Sequence, residues 1–136
     1  MGENAEPQVR VLESEAELVQ AMALFRTAMV GLPAPTYPDG TIHDYLEPGR
    51  TFGAFVDGVL AGTVDAFSGE IVLPGGARVA HAAVTHIGVL PTHTRRGVVT
   101  ALVRKQLRDA RTRGDVVATL RASEATIYGR VGDGIA

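Results

Sequence analysis

Two turn signals divide the middle of the chain into three β-favouring runs, and they limit the fold more than any other feature. Asp57–Gly58 is a two-residue hairpin signal between TFGAFV (51–56) and VLAGTVDAF (59–67). Pro74-Gly75-Gly76 is a second turn signal, ahead of a long strand predicted over roughly Val79 to Leu90. Strands joined by such short turns pair as an antiparallel meander. Beyond them the period changes. Val98, Val99, Ala101, Leu102, Val103, Leu107 and Ala110 form a helical stripe, which predicts a helix from about Arg96 to Arg113 closed by Gly114. VVATLRAS (116–123) then reads as a buried strand, reached by a right-handed crossover and lying parallel to the last strand of the meander.

The front of the chain supplies one more strand and one more helix. Residues 1–8 read as a flexible tail, and the run from Val9 to Leu12 alternates like a strand. SEAE (14–17) is a capping box with Ser14 as N-cap, and Leu18, Ala21, Met22, Leu24, Phe25, Ala28 and Met29 follow at helical spacing until Gly31 and Pro33. The Pro- and Gly-rich segment from Leu32 to Arg50 reads as a loop with one helical turn at Ile42 to Leu46. A length of 136 residues fits one domain, here 9–136. The predicted class is α+β: a mixed, mostly antiparallel sheet with helices on its two faces.

Charge and composition exclude several functions. The net charge of -2 lacks the global basic excess of nucleic-acid or membrane binders. Arg104, Lys105, Arg108, Arg111 and Arg113 read as the solvated face of the second helix, with no aromatic residue among them to stack a base. The chain has no cysteine, so disulfides, thiolate metal sites and cysteine nucleophiles are excluded. MGENAEPQVR shows no secretory pattern and no apolar run approaches membrane-spanning length, so a cytoplasmic location is expected.

The junction LPTHTRRGVVTALVRKQL (90–107) carries the clearest chemical signal. A helix N-terminus presents unpaired N–H groups and about half a positive charge. Arg95 and Arg96 there oppose the helix dipole unless an anion is bound, and Gly97 lets the backbone approach that anion closely. Gly88, within the preceding strand, marks a bulge or a close approach of a ligand.

VLPTHTRRGVV and ASEATIYGR resemble two runs of the GNAT superfamily of N-acetyltransferases, and most nearly those of its enhanced intracellular survival (Eis) type, which acetylates aminoglycosides and lysine side chains. The resemblance covers about Ala82 to Gly132. It implies acetyl-CoA as co-substrate, with Ile87, Gly88 and Val89 on the pantetheine arm and Arg95, Arg96, Gly97, Val98, Val99 and Thr100 around the pyrophosphate. It further implies that Ser123 and Glu124 flank the thioester and that Tyr128 is the catalytic acid protonating the departing thiolate. Acetyl transfer to a primary amine of an aminoglycoside, a lysine or a small polyamine would proceed by direct attack in a ternary complex, without a metal. The sequence departs from the family pattern at Thr94, Val131 and Asp133. Against the family fold the chain is expected to be C-terminally truncated, lacking the last helix and strands and the residue that deprotonates the amine. Self-association would then cover the exposed strand. The alternative is a non-catalytic acyl-CoA-binding or oligomerising module.

Other candidates have plainer readings. His81 and His86 stand an odd number of residues apart and are expected on opposite faces, which disfavours a shared metal site. His86 is a candidate base if it faces the amine, and His93 falls in the loop. His43 is the remaining histidine. Asp44, Glu47, Asp65 and Glu70 are candidate contacts for a polycationic amine, and Phe25, Tyr37 and Tyr45 either line its pocket or belong to the core.

Overall fold

The structure, a computed structural model, describes residues 6–30, 37–94 and 97–120. Five strands form one sheet in the order β1 (Gln8–Val11), β2 (Thr51–Val56), β3 (Val59–Val72), β4 (Arg78–Val89) and β5 (Val117–Leu120). The first four are antiparallel in sequence, and β5 pairs parallel to β4. Helices α1 (Glu15–Phe25) and α2 (Val98–Arg113) complete the described fold. The mixed sheet and its crossover are those expected from the sequence.

The turns form for the reasons their residues suggest. Asp57 and Gly58 both adopt positive φ, 51° and 79°, as a tight turn matched to the twist of its strands requires. Ser14 Oγ accepts the Glu17 N–H at 3.2 Å and caps α1, while the Glu17 carboxylate pairs with Arg10. The α1 helix was expected to run to Met29. It is α-helical only to Phe25, and a single π-helical turn, Arg26–Val30, widens its end. The loop turn is a 3-10 helix at Thr41–Asp44. The second hairpin extends β3 five residues past Phe67, because Ser68 to Val72 continue to pair with Ala82 to Arg78.

Two apolar clusters lie on opposite faces of the sheet. On one, Leu102, Val98 and Val103 of α2 pack with Phe52, Val64, Val84 and Ile87. On the other, Leu18, Ala21 and Met22 of α1 pack with Leu12, Ile42 and Leu46. At about 1.5–3 kcal/mol for each fully buried large aliphatic side chain, these clusters hold the layers together. The expected stripe of α2 is inward-facing, and Gln106, a residue the pattern passed over, is fully buried with it. Strand β5 is less enclosed than expected: Leu120 is buried, but Val116 and Ala118 are exposed.

The main departure from regular pleating lies in β4. Thr63 pairs with Gly88 and Asp65 with Thr85, so Val64 alone spans two β4 residues, His86 and Ile87. His86 adopts φ 51°, left-handed for a residue with a side chain. The expected bulge near Gly88 is therefore two residues earlier. It also overturns the facing of the histidines, because the extra residue resets the alternation. A Cβ on Gly69 would lie 3.9 Å from His81 Nδ1, and Phe67, two residues away on the same face, meets the His86 ring. His81 and His86 thus share the α1 face.

Candidate active site

The start of α2 is built as an open N-terminus. Its N-cap is Gly97, with φ 75°, no side-chain cap and nothing within 4 Å of where a Cβ would stand. The first turn carries no acidic residue. The leading N–H groups, which belong to Val98, Val99 and Thr100, therefore face outward around a bare backbone position, as an anion site requires. Arg95 and Arg96 lie outside the described residues, as do Ser123, Glu124 and Tyr128.

Gly62 brings the helix start to the strand. A Cβ on it would stand 2.6 Å from Val98 Cγ1, 3.0 Å from Leu102 Cδ1 and 3.1 Å from the Gly88 carbonyl oxygen. The missing side chain on β3 is thus what lets the first turn of α2 sit beside Gly88. On β4, Gly88 and Val89 pair with Thr63 and Gly62. The pairing with β5 runs only from His81↔Val117 to Val84↔Leu120, so Ile87, Gly88 and Val89 have no β5 partner among the described residues. Among the described residues no strand takes up the backbone groups on that side of β4.

One residue before that segment is an acid–imidazole pair. Asp65 Oδ1 and Oδ2 lie 3.0 and 2.9 Å from His86 Nδ1. A carboxylate can only accept, so Nδ1 carries the proton. The Asp65 side chain is 2% exposed and that of His86 33%. The Phe25 ring meets the imidazole edge-on at 5.0 Å between centroids, and Phe67 does so at 6.4 Å. The hydrogen bond to Asp65 holds the imidazole above its ordinary pKa, with burial acting in the opposite sense. Burial pushes the Asp65 carboxyl upward, and His86 opposes it.

His81 Nε2 lies 2.7 Å from Thr119 Oγ1 and ties β4 to β5. His93 pairs with Thr92 beside the α2 start, and His43 borders a cavity of about 120 Å³ with Leu12, Leu18 and Leu46. Glu47 accepts from the Ser68 N–H and hydroxyl. Desolvation raises its carboxyl, but those bonds and the charges of Arg50 and Arg113 outweigh this and hold it below the ordinary value. Glu70 is exposed and pairs with Arg78, while Asp44 is exposed. Tyr37 and Tyr45 meet edge-on at 5.5 Å, and Tyr45 is largely exposed. Arg50, which sequence reasoning passed over, is fully buried. Its Nη2 donates to Asp115 at 2.8 Å and its Nη1 to Ser68 at 2.9 Å. No local pattern marks it, because its partners come from β3 and the turn between α2 and β5. Among the described residues no group of three or more acidic or histidine side chains is placed to hold a metal ion, and no helix is long and apolar enough to cross a membrane.

The chain is similar to known proteins. An uncharacterized N-acetyltransferase of Streptomyces avermitilis is 40% identical over 90% of this chain and 30% of its own length. The N-acetyltransferase Eis of Mycobacterium bovis is 42% identical over 51% of this chain and 16% of its own. The crystal structure of Eis1 from Mycobacterium abscessus superposes with a TM-score of 0.81 at 55% identity, covering 90% of this chain and 30% of that one. The chain thus spans less than a third of the length of these relatives. The model of the acetyltransferase (GNAT) domain matches residues 8–136. The chain belongs to the GNAT acetyltransferase family.

Proposed function

We propose that this domain binds acetyl-CoA and transfers its acetyl group to a primary amine, of the kind carried by an aminoglycoside, a lysine side chain or a polyamine. The observation that carries this reading is the uncapped, acid-free start of α2 meeting Gly88 over Gly62. Acetyl-CoA supplies an activated thioester. In this reading Arg95, Arg96 and Gly97 grip its pyrophosphate with the N–H groups of Val98, Val99 and Thr100, and Ile87, Gly88 and Val89 hold its pantetheine arm along β4. Ser123 and Glu124 flank the thioester, and Tyr128 protonates the leaving sulfur. The domain's main contribution is to hold thioester and amine together. The relatives named as N-acetyltransferases support the reaction class.

Calorimetric titration with acetyl-CoA tests the grip. Gly97→Val places a β-branched residue at φ 75° and should weaken binding about tenfold or more, by strain and by filling the approach. Arg96→Ala should weaken it less and in a salt-dependent way. Unchanged affinity in both variants would contradict the reading. Thiol release with a panel of amines tests transfer, and binding without release would identify a module that holds the cofactor only.

A further inference from the structure

We propose that His86, held by Asp65, is the base that takes the proton from the acceptor amine. The inference rests on the acetyl-transfer reading above. It adds the group that the reaction needs and that the sequence alone left open.

Three features of His86 are hard to explain as packing. Its backbone is left-handed, a conformation that costs an ordinary L-residue roughly 1–2 kcal/mol. Such strain persists where surrounding structure fixes it, and it concentrates at functional positions. Here the bulge fixes it, and the bulge turns the side chain onto the α1 face. There Asp65 takes Nδ1 while Phe25 and Phe67 flank the ring. The donated Nδ1 proton leaves Nε2 with the lone pair. Nε2 has no hydrogen-bond partner among the described residues, although the ring is one-third exposed. His81, on the same face, has Nε2 engaged by Thr119 and is not free in this way.

Position and electrostatics fit the same role. His86 directly precedes the Ile87–Val89 segment, which has no β5 partner among the described residues and along which the pantetheine arm is placed. Of the elements packed against the ring, β3 presents Asp65 and Phe67 and α1 presents Phe25; Asp65 is the one ionisable group among those contacts. A carboxylate behind the ring strengthens Nε2 as a proton acceptor and stabilises the imidazolium that results. In the reaction, Nε2 takes one proton from the ammonium form of the acceptor. The nitrogen lone pair then forms the N–C bond to the acetyl carbon while the C–S bond breaks. The sulfur leaves with the bonding pair and receives a proton from the acid, the acylated nitrogen gives up its second excess proton to restore that acid, and His86 returns its proton to water.

Two variants test this on the full chain. His86→Asn retains a residue type that tolerates left-handed φ. It should lower kcat for amine acetylation about a hundredfold, while acetyl-CoA affinity by calorimetry stays within twofold. Asp65→Asn should move the acidic limb of the pH–rate profile to lower pH. The NMR titration of the His86 imidazole, read without substrate, should move with it. Unaltered turnover in His86→Asn overturns the proposal, as does an imidazole titration that moves in Asp65→Asn while the acidic limb stays. If His86→Asn does not fold, the Asp65→Asn pair of measurements decides alone. Wild-type protein that binds no acetyl-CoA overturns the underlying reading and this one with it. Wild-type protein that binds and turns over, with both variants unaffected, overturns only this one.

Discussion

Among the described residues, Arg50–Asp115 and Asp65–His86 are two acid–base pairs set into the fold, and they are built differently. Arg50 and Asp115 are sealed, with side chains 1% and 8% exposed. Arg50 also donates to Ser68, its carbonyl accepts from Gln106, and Glu47 closes the group through Ser68. The pair ties the loop before β2, strand β3, helix α2 and the approach to β5. Asp65 and His86 join only β3 and β4, leave the imidazole partly open, and sit on a strained backbone. A sealed pair bonded to several elements locks them together. A pair with one open face keeps a proton site available. Exposure, the backbone and a ring nitrogen without a partner among the described residues separate the two.

The sharpest way to break this contrast is Arg50→Met. It leaves the Asp115 carboxylate buried without its cation and should cost about 3–5 kcal/mol in urea denaturation. The His86 titration should not move, because no hydrogen bond among the described residues links the two pairs. Asp65→Asn should cost less, about 1–2 kcal/mol, since the amide oxygen still accepts from Nδ1. That cost depends on pH. His86 titrates above its ordinary value of about 6.5 when folded, so its contribution is complete below pH 6.5 and is lost as pH rises through the raised value. The raised Asp65 carboxyl acts in the same sense. Wild type and Asp65→Asn melts should therefore converge toward alkaline pH. The smallest effect is expected at Thr51, buried beside the sealed pair with no hydrogen-bond partner for its hydroxyl among the described residues. Thr51→Val should change stability by less than about 0.5 kcal/mol in either direction, because no bond is lost.

Local chemistry was readable from the sequence, and long-range register was not. Asp57–Gly58, Pro74-Gly75-Gly76, Ser14 and the stripe of α2 each act through neighbours a few residues away, and each formed as read. The open start of α2 belongs to the same class. The facing of His86 does not: alternation assumes an unbroken pleat, and the bulge arises from how 14 residues of β3 align with 12 of β4. Asp65 and His86 were both visible as candidates, but their pairing across 21 residues was not. Arg50 and Asp115 are 65 residues apart, and Gly62 looked like any small residue in a strand until Val98 came to rest above it.

The parallel contact between β4 and β5 carries a consequence for how the domain assembles. The meander closes over short loops, whereas β5 reaches its partner only after the whole of α2 has been laid across the sheet. Contacts distant along the chain form late, because more chain must be ordered before they add stability. A newly made chain would thus join Asp65 to His86 before it seats α2 and β5. The two middle strands lock early, and the crossover that finishes the sheet arrives last.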